Sequence, residues 1–336
     1  MGLSMTDIGI GIVGGGYMGK AHAVAMASVG AVFDTALRPR LEMVSAASPQ
    51  STHRAIAEAA FARGKPVLCE KPMGASLDDS RAMVAAAEKS GVANMVGFNY
   101  IRTPASQFAR KLIAEGAIGA ITWFRGEHTE DFLADPETPA NWRTDGRANG
   151  TMGDLAPHMV NAALALVGPI RSLVAEVETV HAMRPGGPVS NDDQGQMMCR
   201  FENGAMGQMH FSRIATGRKM GYAYEITGTK GAIRFDQEDQ NALWLYLMDE
   251  PEAVRGFRKI LTGPAHPDFL PFCQGPGHGT GYQDQIIIEA RDFLRAIETG
   301  EAIWPTFRDG HAVNEIVAAA FASSETKTWQ TIGAPQ

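Results

Sequence analysis

Cysteine is scarce: Cys69, Cys199 and Cys273 are the only three in 336 residues, far apart and in no CxxC pair. That excludes a disulfide-stapled scaffold and a zinc site built on paired thiolates, and it suits a reducing cytoplasm, where the chain is expected to work. Positive charge is short as well. Lys and Arg number 30 against 37 Asp and Glu, a net charge of -7, which argues against nucleic acid or an anionic membrane surface as partner. No apolar run reaches the roughly 20 residues of a membrane span, and the N-terminus lacks the basic-then-apolar layout of a signal peptide. Internal repeats and low-complexity tracts are missing too. What remains, 45% hydrophobic and 20% charged residues, is the composition of a globular chain long enough for two domains.

The first third alternates strands and helices. Residues 8–13 read as a buried strand, 20–30 as a helix, 41–45 as a second strand and 53–63 as a helix ended by Gly64. Pro66 to Cys69, 77–90 and 92–98 continue as strand, helix and strand. Such alternation implies a parallel, doubly wound sheet. After about residue 120 the pattern changes to alternating runs at 170–181, 194–201, 205–213, 222–228, 231–236 and 242–247. Turns such as Glu202-Asn203-Gly204 and Thr229-Lys230-Gly231 separate them, which predicts a long antiparallel sheet. Residues 249–281 are rich in Pro and Gly, and helices are expected near 284–299 and 309–325. The predicted fold is therefore α/β. A Rossmann-like doubly wound domain spans 1–120, and an α+β domain with a large, mostly antiparallel open sheet spans 121–336, its last helices packing back on the first domain.

Gly14-x-Gly16-x-x-Gly19 follows the first strand and opens a helix, the context of a dinucleotide fingerprint. The first glycine makes the turn, the second lets backbone approach a pyrophosphate, and the third lets helix pack on strand. The helix N-terminus supplies free N–H groups for the anion. The fingerprint calls for an acid some 20 positions on, but the second strand runs into Ser45-Ala46-Ala47-Ser48-Pro49. Ser48-Pro49-Gln50 looks like the turn after a different strand, as if two strand ends were fused near 45–47. A parallel crossover needs a dozen or more residues, so either the protein has lost a whole unit there or a segment near 45–47 is omitted, the second being the favoured reading. The choice between NAD and NADP cannot be read from this junction.

Lys71 stands at the end of a predicted strand, where open α/β sheets bind ligands; a cation there stabilises a developing alkoxide, and alone it would be a solvated lysine. Asp154 and His158 are four apart, on one face if helical, with Pro157 suited to an early turn. A carboxylate and an imidazole there could serve proton transfer, or be a helix cap and a core histidine. His128, Glu130 and Asp131 have no defined fourth ligand and read as a solvated loop, so no metal is expected.

Gly14 to Gly19, Ser48-Pro49-Gln50 with His53, Gly64-Lys65-Pro66, Glu70-Lys71-Pro72, Asn141-Trp142-Arg143, Gly153-Asp154, His158 and Asn191-Asp192-Asp193-Gln194 together resemble the Gfo/Idh/MocA oxidoreductase family, over nearly the whole chain. The resemblance implies an NAD- or NADP-dependent dehydrogenase of a polyol, cyclitol or sugar. In it Lys71 reaches both the reacting hydroxyl and the cofactor, through a commonly cis Lys-Pro bond. His158 takes the hydroxyl proton and Asp154 orients substrate or imidazole. It places Gly14, Gly16, Tyr17, Met18, Gly19, Ser48, Pro49, Gln50, His53, Glu70, Asn99, Trp142 and Arg143 against the cofactor, with Glu70 near the nicotinamide-side ribose. Trp142-Arg143 could equally be a packed indole beside a surface guanidinium. The family often builds homodimers or homotetramers on its open sheet. Two other activities fit the same fold: a glycosidase working through transient oxidation, and a dinucleotide-binding regulator.

Overall fold

The computed structural model describes residues 6–41 and 48–333. The chain falls into two compact units, Met1–Thr103 with Gly263–Asn314, and Pro104–Thr262 with Glu315–Gln336. A division at 120/121 would put the helix Pro104–Ala114 in the first unit, but its amphipathic face packs with elements of the second.

In the first unit β1 (Thr6–Ile10), α1 (Tyr17–Val32), β2 (Leu37–Leu41), α2 (Gln50–Phe61), β3 (Val67–Glu70), α3 (Leu77–Ser90) and β4 (Asn94–Gly97) alternate as a Rossmann-like domain. β1 pairs with β2 in parallel, and β3 with β4 likewise. Leu37 to Leu41 are the residues in register with β1; of the strand expected at 41–45, all but Leu41 lies outside the described residues. The junction at 45–47 lies outside the described residues. α3 shows what sets its ends: the Ser76 hydroxyl accepts from the Asp79 N–H, Asp78 and Asp79 sit at the positive end of the dipole, and Gly91 closes the helix at φ 67°.

The second unit opens with α4 (Pro104–Ala114) and β5 (Ile121–Thr129), followed by α5 (Thr151–Asp154), α6 (Ala156–Leu166) and β6 (Ile170–Glu178). A small ribbon of β7 (Met183–Arg184) and β8 (Gly187–Pro188) precedes β9 (Gln194–Phe201), β10 (Met206–Ser212), β11 (Gly221–Gly228), β12 (Gly231–Asp236), β13 (Ala242–Leu247) and β14 (Arg258–Leu261). Returning to the first unit, α7 (Tyr282–Thr299) packs Ile286, Ala290 and Phe293 onto Ala25, Met26 and Val29 of α1. α8 (Phe307–Thr326) gives its first turns to the first unit and its last turns to the second, and β15 (Gln330–Thr331) follows.

The sheet of the second unit has nine strands in the order β14-β13-β12-β11-β5-β10-β9-β6-β15. Every neighbouring pair is antiparallel except β10 with β5. Alternation of buried and open side chains along β9, and along β10 as far as Phe211, gives it one covered and one open face there. α6 packs on β5 and α4 on β12 and β13.

Candidate active site

In the first unit, the three motif glycines separate by what surrounds them. Gly14 sits at φ 113°, and a Cβ on Gly19 would lie 1.8 Å from the Gly14 carbonyl oxygen, so helix and loop touch there through bare backbone. A Cβ on Gly16 would meet nothing within 4 Å. Nothing inside the protein demands glycine at 16; close approach of a ligand would. Gly16 is also the N-cap of α1, with no side chain capping the first turn and no acid in it. Its free N–H groups and positive dipole end suit a pyrophosphate, and the residues present fit a dinucleotide. Tyr17 is 71% exposed beside this loop and stacks on Tyr282, ring centroids 6.1 Å apart; Met18 receives a weak hydrogen bond from the Tyr282 hydroxyl.

Pro49 is the N-cap of α2, and the Ser48 hydroxyl pairs with that of Thr52. His53, on the next turn, is buried between two carbonyls: Nε2 is 2.9 Å from the Ser48 oxygen and Nδ1 3.2 Å from that of Pro72. Burial lowers its pKa, so the neutral ring has one N–H to give, and the shorter contact to Ser48 takes it. His53 thus ties the Ser48 turn to the segment after Lys71. The Lys71–Pro72 peptide is cis. Glu70 pairs across the strands with Gly97, whose missing side chain leaves room for the carboxylate. That carboxylate turns inward to His22 rather than outward to solvent. Asn99 donates to the Gln285 side chain, 3.1 Å away.

His22, Glu70 and Glu289 bring three ligand atoms within 4.8 Å, the one such grouping among the described residues. Buried Arg102 stands 3.8 Å from Glu289 and pairs with Asp292, so a cation already neutralises this cluster. Pattern reading missed it because His22, Arg102 and Glu289 are charged residues inside apolar helix faces, where only distant partners explain them. The His at the second turn of the glycine-loop helix was the available signal.

In the second unit, Asp154 and His158 do not share one helix. Asp154 ends α5 and His158 lies in α6, with Leu155 between them. Pro157 has no N–H to continue the first helix and starts the second instead. Arg143 Nη1 donates to Asp154 Oδ2 at 2.9 Å while its guanidinium lies over the Trp142 ring at 4.4 Å and near Phe132 at 5.4 Å. Trp142 itself is 64% exposed.

The Arg143 carbonyl is clamped by Arg213 Nη1 at 2.7 Å and Asn191 Nδ2 at 3.0 Å. Arg213, fully buried, also donates to Asp193 and to the Asn191 oxygen. Asp192 accepts from the Met152 N–H at 2.7 Å and so caps α5; burial raises its pKa to about 6. Asn191-Asp192-Asp193 is therefore the scaffold under Arg143 and Asp154. His158 is buried and meets the His128 ring edge-on at 5.6 Å. His128 is a buried residue of β5 rather than part of a solvated loop, with Nδ1 2.9 Å from the Leu155 oxygen and Nε2 3.3 Å from Glu130. Asp131 pairs with Lys219, and that ion pair and hydrogen bonding hold its carboxyl below the ordinary range.

Comparison with known proteins places both units. Residues 31–98 match the oxidoreductase family with NAD-binding Rossmann fold, and residues 106–234 match the GFO/IDH/MocA C-terminal domain. The chain is 35% identical to levoglucosan dehydrogenase of Pseudarthrobacter phenanthrenivorans, over 97% of this chain and 98% of that one. That alignment runs over 382 positions; 97% of 336 residues is about 326, so about 56 positions are filled in the relative alone. A solved structure of levoglucosan dehydrogenase in complex with NADH and levoglucosan superimposes with a TM-score of 0.95 at 35% identity, covering 98% of this chain and all of that one. The scyllo-inositol 2-dehydrogenase (NADP(+)) of Bacillus subtilis is 27% identical over 86% of this chain and 78% of its own.

Proposed function

We propose, from the premise that the chain belongs to the Gfo/Idh/MocA family of oxidoreductases, that it is a dehydrogenase using NAD or NADP to oxidise one secondary hydroxyl of a cyclic sugar or cyclitol, with anhydrosugars such as levoglucosan the first substrates to test. The observation that carries this reading is likeness along the whole chain to a dehydrogenase of that class, joined to a glycine loop whose second glycine is open for a ligand.

The residues divide the work. Gly14, Gly16 and Gly19, with the first turn of α1, would hold the pyrophosphate, and Tyr17, Met18, Ser48 to Gln50 and Asn99 would line the rest of the dinucleotide. The bound nicotinamide supplies the hydride acceptor. His158, as neutral imidazole, takes the hydroxyl proton when the carbon loses hydride. Lys71 donates to the same oxygen and stabilises its developing negative charge. Asp154, held by Arg143, orients the substrate, and Trp142 forms an apolar cover with that guanidinium. Glu70, bonded to His22, acts from beneath as a support for the strand end that presents Lys71.

The enzyme works as a homodimer or homotetramer in this reading, through the open face of the nine-stranded sheet. That face carries a depression of about 690 Å³ with both signs of charge, Arg125 and Arg234 beside Glu127 and Glu225, the self-complementary surface an isologous contact needs. Light scattering of the purified protein tests it, and a monomer overturns it.

The substrate test is NADH or NADPH formation with levoglucosan, scyllo-inositol and common aldoses. Reduced cofactor should accumulate with at least one of them. Release of sugar from a glycoside without reduced cofactor, or no turnover with any cyclic polyol, overturns the reading.

A further inference from the structure

Phe124, Gly126 and His128 are buried at every second position of β5, so one side of this strand lies in the interior of the second unit. His128 is 1% exposed and stands in register with Phe211 of β10 on one side and Tyr222 of β11 on the other. An imidazole between two aromatic residues, at a position that an apolar side chain would fill, costs desolvation unless its nitrogens are bonded.

Gly126, two residues earlier on the same side of the strand, lets α6 approach closely: a Cβ there would lie 2.5 Å from the Met159 sulfur. In this packing the carbonyl of Leu155, the residue between α5 and α6, comes within 2.9 Å of His128 Nδ1. A carbonyl only accepts, so Nδ1 carries the hydrogen and donates it. The same oxygen accepts the main-chain N–H of His158 at 3.3 Å. His128 also meets the His158 ring edge-on, centroids 5.6 Å apart, and has the Tyr222 ring at the same distance. Its other nitrogen lies 3.3 Å from Glu130 Oε1, which fixes the far end of the ring. His128 thus holds His158 twice, through the Leu155 oxygen and ring to ring.

We infer that His128 is a positioning residue of the reaction: through the Leu155 carbonyl it sets where the His158 ring stands relative to Asp154, on the other side of the break between α5 and α6. The inference rests on the reading of His158 as the base. A base displaced by roughly 1 Å still allows substrate to bind but loses up to about 100-fold in rate, so the effect belongs to kcat rather than to KM.

Two variants test this with levoglucosan or scyllo-inositol, whichever the wild-type enzyme oxidises. His128→Phe keeps an aromatic ring against His158 but has no hydrogen to give Leu155; kcat should fall about tenfold or more while KM and NADH affinity stay within several-fold. His128→Asn gives up the ring but keeps an N–H donor near the Nδ1 position, and should recover kcat to within several-fold of wild type. Wild-type kcat in His128→Phe overturns the inference, and so does a folded His128→Asn that is no faster than His128→Phe. If His128→Phe does not fold, or neither sugar is oxidised, nitrogen NMR of the wild-type protein labelled in histidine decides. It should show a hydrogen on His128 Nδ1 that exchanges slowly with solvent, and a bare Nδ1 overturns the inference. His158→Ala in the same assay separates the two readings. Turnover that survives it overturns His158 as the base, whereas turnover lost there and kept in His128→Phe overturns the positioning role alone.

Discussion

The Nε2 atom of His22 lies 2.6 Å from Oε1 of Glu70, inside the first unit, joining the second turn of the glycine-loop helix to the strand that ends before Lys71. Burial alone would pull the His22 pKa down, but the Glu70 hydrogen bond and the charges of Glu70 and Glu289 carry it above its ordinary value. Glu289, fully buried, is pushed up to about 7 by desolvation, against the pull of Arg102 and His22.

The pH dependence of stability follows from these directions. A carboxyl whose folded pKa is raised binds its proton more tightly when folded, so Glu289 favours the folded state at low pH. That contribution is lost as pH rises from the unfolded value of about 4.3 toward 7, with a slope of up to ~1.4 kcal/mol per pH unit. Asp192, raised to about 6, has the same sign over its own window, and His22 adds stability below about 6.5 that fades as pH climbs through its raised folded value. Melting temperature is thus expected to fall between pH 5 and 8. Glu289→Gln should flatten that slope, and an unchanged slope in this variant would refute the assignment.

Gly16 and Gly19 should separate binding from folding. Gly19→Ala forces a Cβ into the Gly14 carbonyl, a backbone atom that cannot swing aside, and should cost ~2 kcal/mol or more in urea unfolding. Gly16→Ala meets no protein atom and keeps an ordinary φ of -72°, so stability should stay within about 0.5 kcal/mol. NADH affinity of the Gly16 variant should nevertheless fall about tenfold or more, since the methyl group stands where the pyrophosphate approaches. Equal affinity in calorimetry would remove the pyrophosphate from this loop.

Gly150 offers a stability test in the second unit. A Cβ there would come 2.2 Å from Asp192 Oδ1 and 3.1 Å from the Asp192 nitrogen. Gly150→Ala should therefore destabilise by ~1–3 kcal/mol in chemical denaturation, by displacing the carboxylate that caps α5. A neutral outcome would mean that the Asp192 loop yields freely.

What could be read in advance tracks how local each signal is. The β9–β10 hairpin is written in its alternation and in Asn203-Gly204, where Gly204 takes φ 91°. The parallel pairing of β10 with β5 joins segments some eighty residues apart and leaves no local trace. Pro157 marked the start of α6, but that the chain breaks at Leu155, separating Asp154 from His158, depends on how Asp192 holds α5. Glycine spacing and Lys71-Pro72 were legible because motif and strand order lie close in sequence. His22, Arg102 and Glu289 were not, since the partners that explain the burial of His22 and Arg102, Glu70 for the one and Glu289 and Asp292 for the other, are far away in sequence.

Arg143 tests the positioning of Asp154. Its guanidinium is 40% exposed, so losing the ion pair should change stability by under ~1 kcal/mol. Arg143→Lys keeps the charge but not the planar fork that bonds Asp154 while lying over Trp142, and should lower kcat/KM by about tenfold, mainly through KM. A wild-type KM in this variant would detach Asp154 and Arg143 from substrate orientation.

Lys71 and His158 carry the sharpest prediction, because their proposed roles belong to the transition state alone. A base that receives the hydroxyl proton and a cation that stabilises the alkoxide contribute little to holding the dinucleotide. Lys71→Ala and His158→Ala should each lower kcat by about 10²–10⁴-fold while NADH affinity stays within several-fold. His158 is buried, so His158→Asn, which keeps a polar group of similar reach, controls for loss of fold and should retain the melting temperature without restoring turnover. Near-normal turnover in both alanine variants would sink the mechanism.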